Sequence, residues 1–249
     1  MSLDRLIRYH ERRVRAARSA TEIFDHTLAA AGELGFNRLA IVHASWFIRP
    51  GRRLIFHHNF DEWGEIFVAR RYYLHDPALL TSQRTNRPFT WNEMRRTLQP
   101  DPKQVRILDE AVRHGLRIGL TVPVSVPGEP AGCCTFATDA SELPSPALCR
   151  AAAWIADEAF AEARRVNGYP VPIEVTDVPH INARRLECLR WAVIGRTDAQ
   201  IALIMGLTLN TVRTYMRDLR RMFGVCSRTE LARVAQRAGL IGLDDSISQ

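Results

Sequence analysis

Lysine is nearly missing from this chain: Lys103 is the single one among 34 basic residues, the rest being arginine. A phosphoacceptor receiver domain needs an acidic cluster with a lysine beside it, and Lys103 lies inside a helical run without that setting. Cysteine is sparse. Cys133, Cys134, Cys149, Cys188 and Cys226 form no CxxC, and none pairs with a histidine at metal-ligand spacing, so no zinc site or disulfide framework is expected. His57 and His58 are adjacent in a strand and point apart, a poor arrangement for a shared metal. A Gly-rich phosphate loop, a GxSxG elbow and an HxxH-type cluster are all absent, which leaves an enzyme such as a lactone or amide hydrolase using Asp76 and a histidine without its usual signatures. The expectation is a protein that is not an enzyme and holds no metal or cofactor. The chain also lacks an apolar leader segment and any stretch long enough to span a bilayer, from which a soluble, cytoplasmic protein with no membrane partner is expected. Repeats and low-complexity tracts are missing too.

The charge that is present is unevenly placed. The chain carries +7 formal charges and is 46% hydrophobic, enough to build ordinary packed cores. Residues 179–249 contain 11 Arg against 6 Asp plus Glu, so +5 of the +7 falls in the last quarter. A basic excess confined to one region implies a polyanionic partner there.

That region has the grammar of a helix-turn-helix. Asp198 to Met205 reads as a short helix capped by Thr197 and ended at Gly206, and a second helix restarts behind the cap Thr208. Val212, Met216, Leu219 and Phe223 recur at intervals of four, three and four, which gives one buried stripe. Asn210, Arg213, Thr214, Arg217, Arg220 and Arg221 occupy the other face. An arginine-rich stripe opposite a buried one suits a helix in the major groove, where arginine forks fit guanine O6 and N7. Arg213 and Arg217 are the candidate base readers, with a phosphate grip as the plainer role. Thr197, Thr211, Thr214 and Arg220 are candidate backbone contacts; Thr197 and Thr211 sit at helix starts, where N–H groups favour phosphate.

Upstream, the apolar periodicity predicts helices over residues 3–34, a strand over Leu39–Phe47 with a hairpin partner over Arg53–His58, and a helix over Glu62–Leu74 broken at Asp76-Pro77. A helix over Pro102–His114, strands over Leu120–Val126 and Gly132–Thr138, and a long helix over Ser145–Val166 follow. This order predicts an α+β two-domain protein: an N-terminal α-β-α sandwich with an antiparallel sheet over 1–166, a linker over 167–178, and an all-α four-helix helix-turn-helix module over 179–249. Domains of the first kind often hold a small ligand between the sheet and one helical layer.

The two halves together resemble the LuxR family of quorum-sensing regulators. The C-terminal likeness rests on Leu189-Arg190-Trp191, Gly195-Arg196-Thr197, Gln200-Ile201-Ala202, Gly206, Thr211-Val212, Gly224-Val225 and Arg228-Thr229. The N-terminal likeness rests on Trp63, Tyr72, Asp76-Pro77, Pro88-Phe89-Thr90-Trp91 and Gly119-Leu120-Thr121-Val122-Pro123. The resemblance implies a dimeric transcription factor, an activator in its usual form. It would bind an N-acyl homoserine lactone and an inverted-repeat operator in double-stranded DNA, with RNA polymerase as a further partner. It also implies that Trp63 donates its indole N–H to the lactone carbonyl, Asp76 accepts from the ligand amide, Trp91 walls the lactone ring, and Thr135 serves the acyl carbonyls. The last helix, with Leu231, Val234 and Ala238, would be the dimer contact.

The chemistry is sound without the family. A buried carbonyl and a buried N–H each need a partner, and Trp supplies a donor while ionised Asp supplies an acceptor. Asp76-Pro77 also reads as a helix cap with proline at the first helical position, and the aromatic residues as core. Three positions depart from the family: Asn59 and Phe67 stand where tyrosine is usual, and Arg185 where glutamate is usual. Asn59 offers a replacement donor, and Phe67 an apolar wall suited to a branched or aryl acyl group. With both tyrosine hydroxyls missing, a signal-independent regulator whose N-terminal domain is filled by side chains is the alternative.

Overall fold

The computed structural model describes residues 2–43, 56–126, 132–168 and 179–241. The ends of the first predicted hairpin (Ala44–Phe47, Pro50-Gly51, Arg53–Ile55), the turn Pro127–Pro130 and most of the predicted linker lie outside the described residues. The chain divides into two compact units, residues 1–125 with 130–171, and residues 126–129 with 172–249.

The first unit is built on a five-stranded antiparallel sheet of order β2-β1-β5-β4-β3. The strands are β1 (Arg38–His43), β2 (Phe56–His58), β3 (Phe89–Thr90), β4 (Ile118–Val124) and β5 (Gly132–Thr138). Alternation assigns the two faces. Leu39, Ile41, Leu120, Val122, Val124, Cys134 and Phe136 face a layer of three helices, α1 (Leu3–Ala16), α2 (Ala20–Glu33) and a long α7 (Pro146–Val166), and form the main core with them. Ser2, Ser19 and Ser145 each accept a backbone N–H at the start of these helices, which satisfies a donor that the helix itself leaves unpaired.

The opposite face carries Ala40, Val42, Cys133, Thr135 and Ala137 under four shorter helices: α3 (Glu62–Ala69), α4 (Pro77–Ser82), α5 (Trp91–Thr97) and α6 (Pro102–Arg113). The predicted helix over Glu62–Leu74 is corrected here. It stops at Ala69, Arg71 takes a left-handed conformation at φ +53°, and Tyr72–Leu74 forms a single 3-10 turn. Cys133 and Cys134 fall on opposite faces, as do His57, whose ring lies 6.0 Å from Phe24, and His58.

The second unit is a four-helix module: α8 (Ala183–Val193), α9 (Asp198–Met205), α10 (Leu209–Met222) and α11 (Arg228–Arg237). Thr197 and Gln200 form a capping box on α9, Gly206 ends it in the left-handed region at φ +63°, and Thr208 caps α10. Its core gathers Leu189, Ile201, Val212, Met216, Leu219, Leu231 and Ala235. Among the described residues no helix is long and apolar enough to cross a membrane.

A candidate ligand cavity and a candidate nucleic-acid interface

Strand register places the cavity. His58, Ala40, Thr135, Thr121 and Phe89 are paired in succession across the five strands, so they make one row on one face. The next row holds Val42 and Cys133. Small side chains in the middle of these rows leave a hollow floor between large walls. The hollow has a cavity volume of about 80 Å³. It is therefore a narrow slot, smaller than the ~300–1,000 Å³ usual for small-ligand sites. Its lining is mainly apolar, with Trp63, Phe67, Trp91 and Leu108 prominent, and Asp76, His58, Arg95 and Thr135 add polar groups to the indole N–H donors.

Each wall has a local cause. Thr90 and Glu93 form a capping box, which starts α5 at Trp91 and turns the indole over the sheet. A Cβ on Gly119 would fall 2.6 Å from that indole, so only glycine lets Trp91 lie on β4. Trp91 Nε1 donates to Thr121 Oγ1 at 3.1 Å, and Thr121 lies 3.2 Å from Thr135 Oγ1. The indole only donates, and the Thr121 oxygen keeps a second lone pair, so either hydroxyl can donate in the threonine pair. Trp63 enters from α3, is 4% exposed, and its ring sits 5.6–6.1 Å from those of His114, Tyr72 and Phe67. No acceptor for its indole N–H occurs among the described residues. Gly64, on the next turn-face, is required because a Cβ there would overlap the His58 ring.

Asp76 has two roles at once. Its Oδ1 accepts from Leu79 N at 2.8 Å as the cap of α4, with Pro77 at the first helical position. The same carboxylate is part of the cavity wall. Burial raises its pKa to about 6, against the opposing pull of the Leu79 and Ala78 amides. A carboxylate that pays this desolvation with lone pairs to spare is poised to accept from a donor entering the slot.

Of the seven predicted ligand contacts, the structure brings Trp63, Phe67, Asp76, Trp91 and Thr135 together around one cavity. Asn59 and Tyr72 do not line it. The Asn59 side chain extends the β1–β2 pairing, accepting from Leu39 N at 2.7 Å and donating to Asn37 O at 2.9 Å, so its amide is occupied away from the slot. The Tyr72 hydroxyl donates to Glu110 Oε2 at 2.6 Å, and the residue lies outside the lining. His58, Arg95 and Thr121 escaped the sequence reading. Thr121 had two signals: it lies in the Gly119–Pro123 motif, and in a hairpin turning at Pro127–Pro130 it falls opposite the region of Thr135.

In the second unit, the stripe Val212, Met216 and Leu219 is buried, and α10 presents the other side outward. Asn210, Arg213, Thr214, Arg217 and Arg220 line a shallow polar depression together with Asp198. Arg213, Arg217, Asn210 and Thr197 are exposed; Thr211 is half-buried, its hydroxyl 2.8 Å from that of Thr208. Arg185, the departure from the family pattern, pairs with Asp218 at 3.2 Å and stacks over Tyr215, so α10 itself supplies its partner. Leu231 is fully buried in the module core, which removes it from the predicted dimer face and leaves Val234 and Ala238 half-buried.

Arg228 ties the module together. Its guanidinium donates to the carbonyls of Ala192 and Arg196 and to Asp198 Oδ1 at 3.0 Å, joining the start of α11 to the end of α8 and the start of α9. Arg228→Ala is expected to destabilise the module by roughly 1.5–3 kcal/mol, since it strands two carbonyls and a carboxylate. Chemical denaturation of the full chain, followed in the helical signal, measures this.

Comparison with known proteins covers both units. Residues 19–163 match the autoinducer binding domain, and residues 181–235 match the bacterial regulatory proteins of the luxR family. Regulatory protein SdiA of Escherichia coli (strain K12) is 28% identical over 233 residues, covering 90% of this chain and 91% of that protein. Transcriptional activator protein TraR of Rhizobium radiobacter is 27% identical over 187 residues, covering 72% and 76%. A crystal structure of SdiA shares the fold with a TM-score of 0.61 at 23% identity, covering 97% of this chain and all of that one. The chain belongs to the LuxR family of ligand-responsive transcriptional regulators, with an autoinducer-binding domain followed by a DNA-binding helix-turn-helix.

Proposed function

We propose that the first unit binds an N-acyl homoserine lactone and that the second, as one half of a homodimer, reads an inverted-repeat operator in the cytoplasm, with RNA polymerase as a further partner. The domains would be 1–166 and 179–249, joined by 167–178. The observation that carries the ligand reading is the pairing in one apolar slot of a carboxylate acceptor, Asp76, with an indole donor, Trp63, that finds no acceptor among the described residues. An amide N–H and a lactone carbonyl satisfy both. Trp91 would cover the lactone ring, Thr135 would donate to the acyl carbonyl, and Phe67 would pack on the acyl group. Arg213 and Arg217 would contact bases, while Asn210, Thr211, Thr214, Arg220 and Thr197 would hold the backbone.

SdiA has been solved with octanoyl-rac-glycerol, a ligand whose donors are hydroxyls rather than an amide. Asp76 would accept from either, so the ligand classes must be compared directly.

The reading is tested by operator binding with and without lactone in the wild type and in Trp63→Phe. The wild type should respond to lactone, and the variant should need at least about tenfold more of it, because the ligand carbonyl loses its donor. An unchanged response in Trp63→Phe would overturn the assignment. Ala40→Leu provides a second check. It should fill the floor, abolish the rise in unfolding temperature on adding lactone, and change unliganded stability by only about 1 kcal/mol, because the added carbons enter a void.

A further inference from the structure

We propose that Glu110 is a positioning residue for the ligand site: acting through Tyr72, it fixes the segment that carries Asp76 against Trp63. The role in ligand binding rests on the lactone reading above, whereas the mechanical role does not.

The geometry begins with a strained joint. Between α3, which bears Trp63 and Phe67, and α4, which Asp76 caps, the chain passes through Arg71 at φ +53°, a conformation that side chains other than glycine rarely adopt. Such a residue persists only where its surroundings over-determine it. Glu110 on α6 provides that by gripping both neighbours of Arg71. Its Oε1 accepts from Arg70 Nη1 at 2.6 Å and its Oε2 from the Tyr72 hydroxyl at 2.6 Å. Arg70 also donates to the Tyr72 hydroxyl at 3.2 Å and lies over its ring.

Tyr72 then transmits the grip in two directions. Its ring packs 5.8 Å from that of Trp63. Its carbonyl accepts from His75 N at 2.9 Å and from Asp76 N at 2.8 Å. One side chain therefore sets the spacing of the donor and the acceptor, although Glu110, Arg70 and Tyr72 all lie outside the cavity lining. The Glu110 carboxyl is held below its ordinary range, first by the Tyr72 hydroxyl and then by Arg70 and His114. It is thus a charged acceptor at neutral pH, the stronger kind.

The test uses the full-length protein and two variants, Glu110→Ala and the milder Tyr72→Phe, each with and without Asp76→Asn. The first readout needs no ligand: the stability difference between each background and its Asp76→Asn partner, from pH 4.5 to 7. Asp76 faces the Leu79 and Ala78 amides and the Cys133 thiol, and His58 and Arg95 share its wall. In the wild-type background this difference should grow with pH as the fixed, buried carboxylate ionises. Breaking the grip should flatten it by letting the half-buried Asp76 carboxylate become more fully hydrated. A profile unchanged in both variants would overturn the proposal.

The second readout is lactone affinity. Glu110→Ala should weaken it about tenfold when Asp76 is present and leave it unaltered in the Asp76→Asn background. Equal losses in the two backgrounds would mean general destabilisation and would overturn the proposal. If the wild type bound no homoserine lactone at all, the ligand reading would fail, and the pH profile would still decide whether Glu110 positions Asp76. Should Glu110→Ala not fold, Tyr72→Phe, which keeps the ring on Trp63, carries both readouts.

Discussion

Replacing Asp76 with asparagine is expected to weaken lactone binding about 10- to 100-fold while leaving the unliganded protein at least as stable as the wild type. The first part follows from the loss of a charge-assisted hydrogen bond, which contributes roughly 1.5–3 kcal/mol. The second follows from burial. The carboxyl has a pKa raised from 3.8 to about 6 in the folded chain. Between these values the folded state holds a proton that the unfolded state has released, so stability is fully present below pH 4 and is lost as pH rises through about 6. The cost above that range is roughly 1–3 kcal/mol, allowing for the screening of a partly exposed side chain. Asparagine caps a helix about as well as aspartate, so the Leu79 N–H keeps its partner. The stability of Asp76→Asn relative to wild type should therefore increase from pH 4 to 7, as measured by urea denaturation. A variant markedly less stable at every pH would show that the carboxylate serves mainly as a cap. Ligand binding and stability thus oppose each other at this residue, as expected where a polar group is kept buried for recognition.

The second large effect is expected on the recognition helix. Arg213→Ala and Arg217→Ala should each cost about 1–3 kcal/mol of operator binding per half-site and relax preference at one or two base pairs. In a symmetric dimer the loss occurs twice, so either variant should reduce operator affinity by about 30-fold or more. Thr197→Ala and Arg220→Ala should instead weaken binding evenly across sequences, with Arg220→Ala also lowering the salt dependence by about one ion. The two arginines differ in what restrains them. Arg217 Nε lies 4.0 Å from Asp218, which also holds Arg221 and Arg185, whereas no acid is paired with Arg213 among the described residues. Fluorescence anisotropy on the operator and on a sequence-scrambled duplex separates base readers from backbone contacts. If Arg213→Ala weakened both duplexes equally, its base-reading role would be lost.

The second unit was legible in detail because its signals are local. Thr197, Gly206 and Thr208 mark helix ends by their own chemistry, and Val212, Met216 and Leu219 reveal the buried stripe by spacing alone. In the first unit the order of helices and strands was legible, and so was the α-β-α layering, since the alternation along β1, β4 and β5 assigns two faces. What could not be read was direction. Asn59 and Tyr72 occupy the intervals of ligand contacts, but the β1 edge claims the first and the turn at Arg71 aims the second at α6. Neither fact is local. Short elements were also lost. The helices at Pro77–Ser82 and Trp91–Thr97 are too brief to show a period, although Thr90 and Glu93 already spelled a capping box. His58 and Thr121 became visible as wall and support only once strand register placed them in one row with Thr135.

The most direct test of the account is the unfolding temperature of the protein produced without signal. It would be titrated with short, long, branched and aryl N-acyl homoserine lactones, with octanoyl glycerol alongside. A site occupied at a hundred times its dissociation constant stabilises by about 2.7 kcal/mol, a rise of several degrees for a domain of this size. A saturable rise with at least one lactone, lost in Asp76→Asn, is the predicted result. No rise with any lactone in a folded, DNA-binding protein, or a rise with octanoyl glycerol alone, would contradict the central claim.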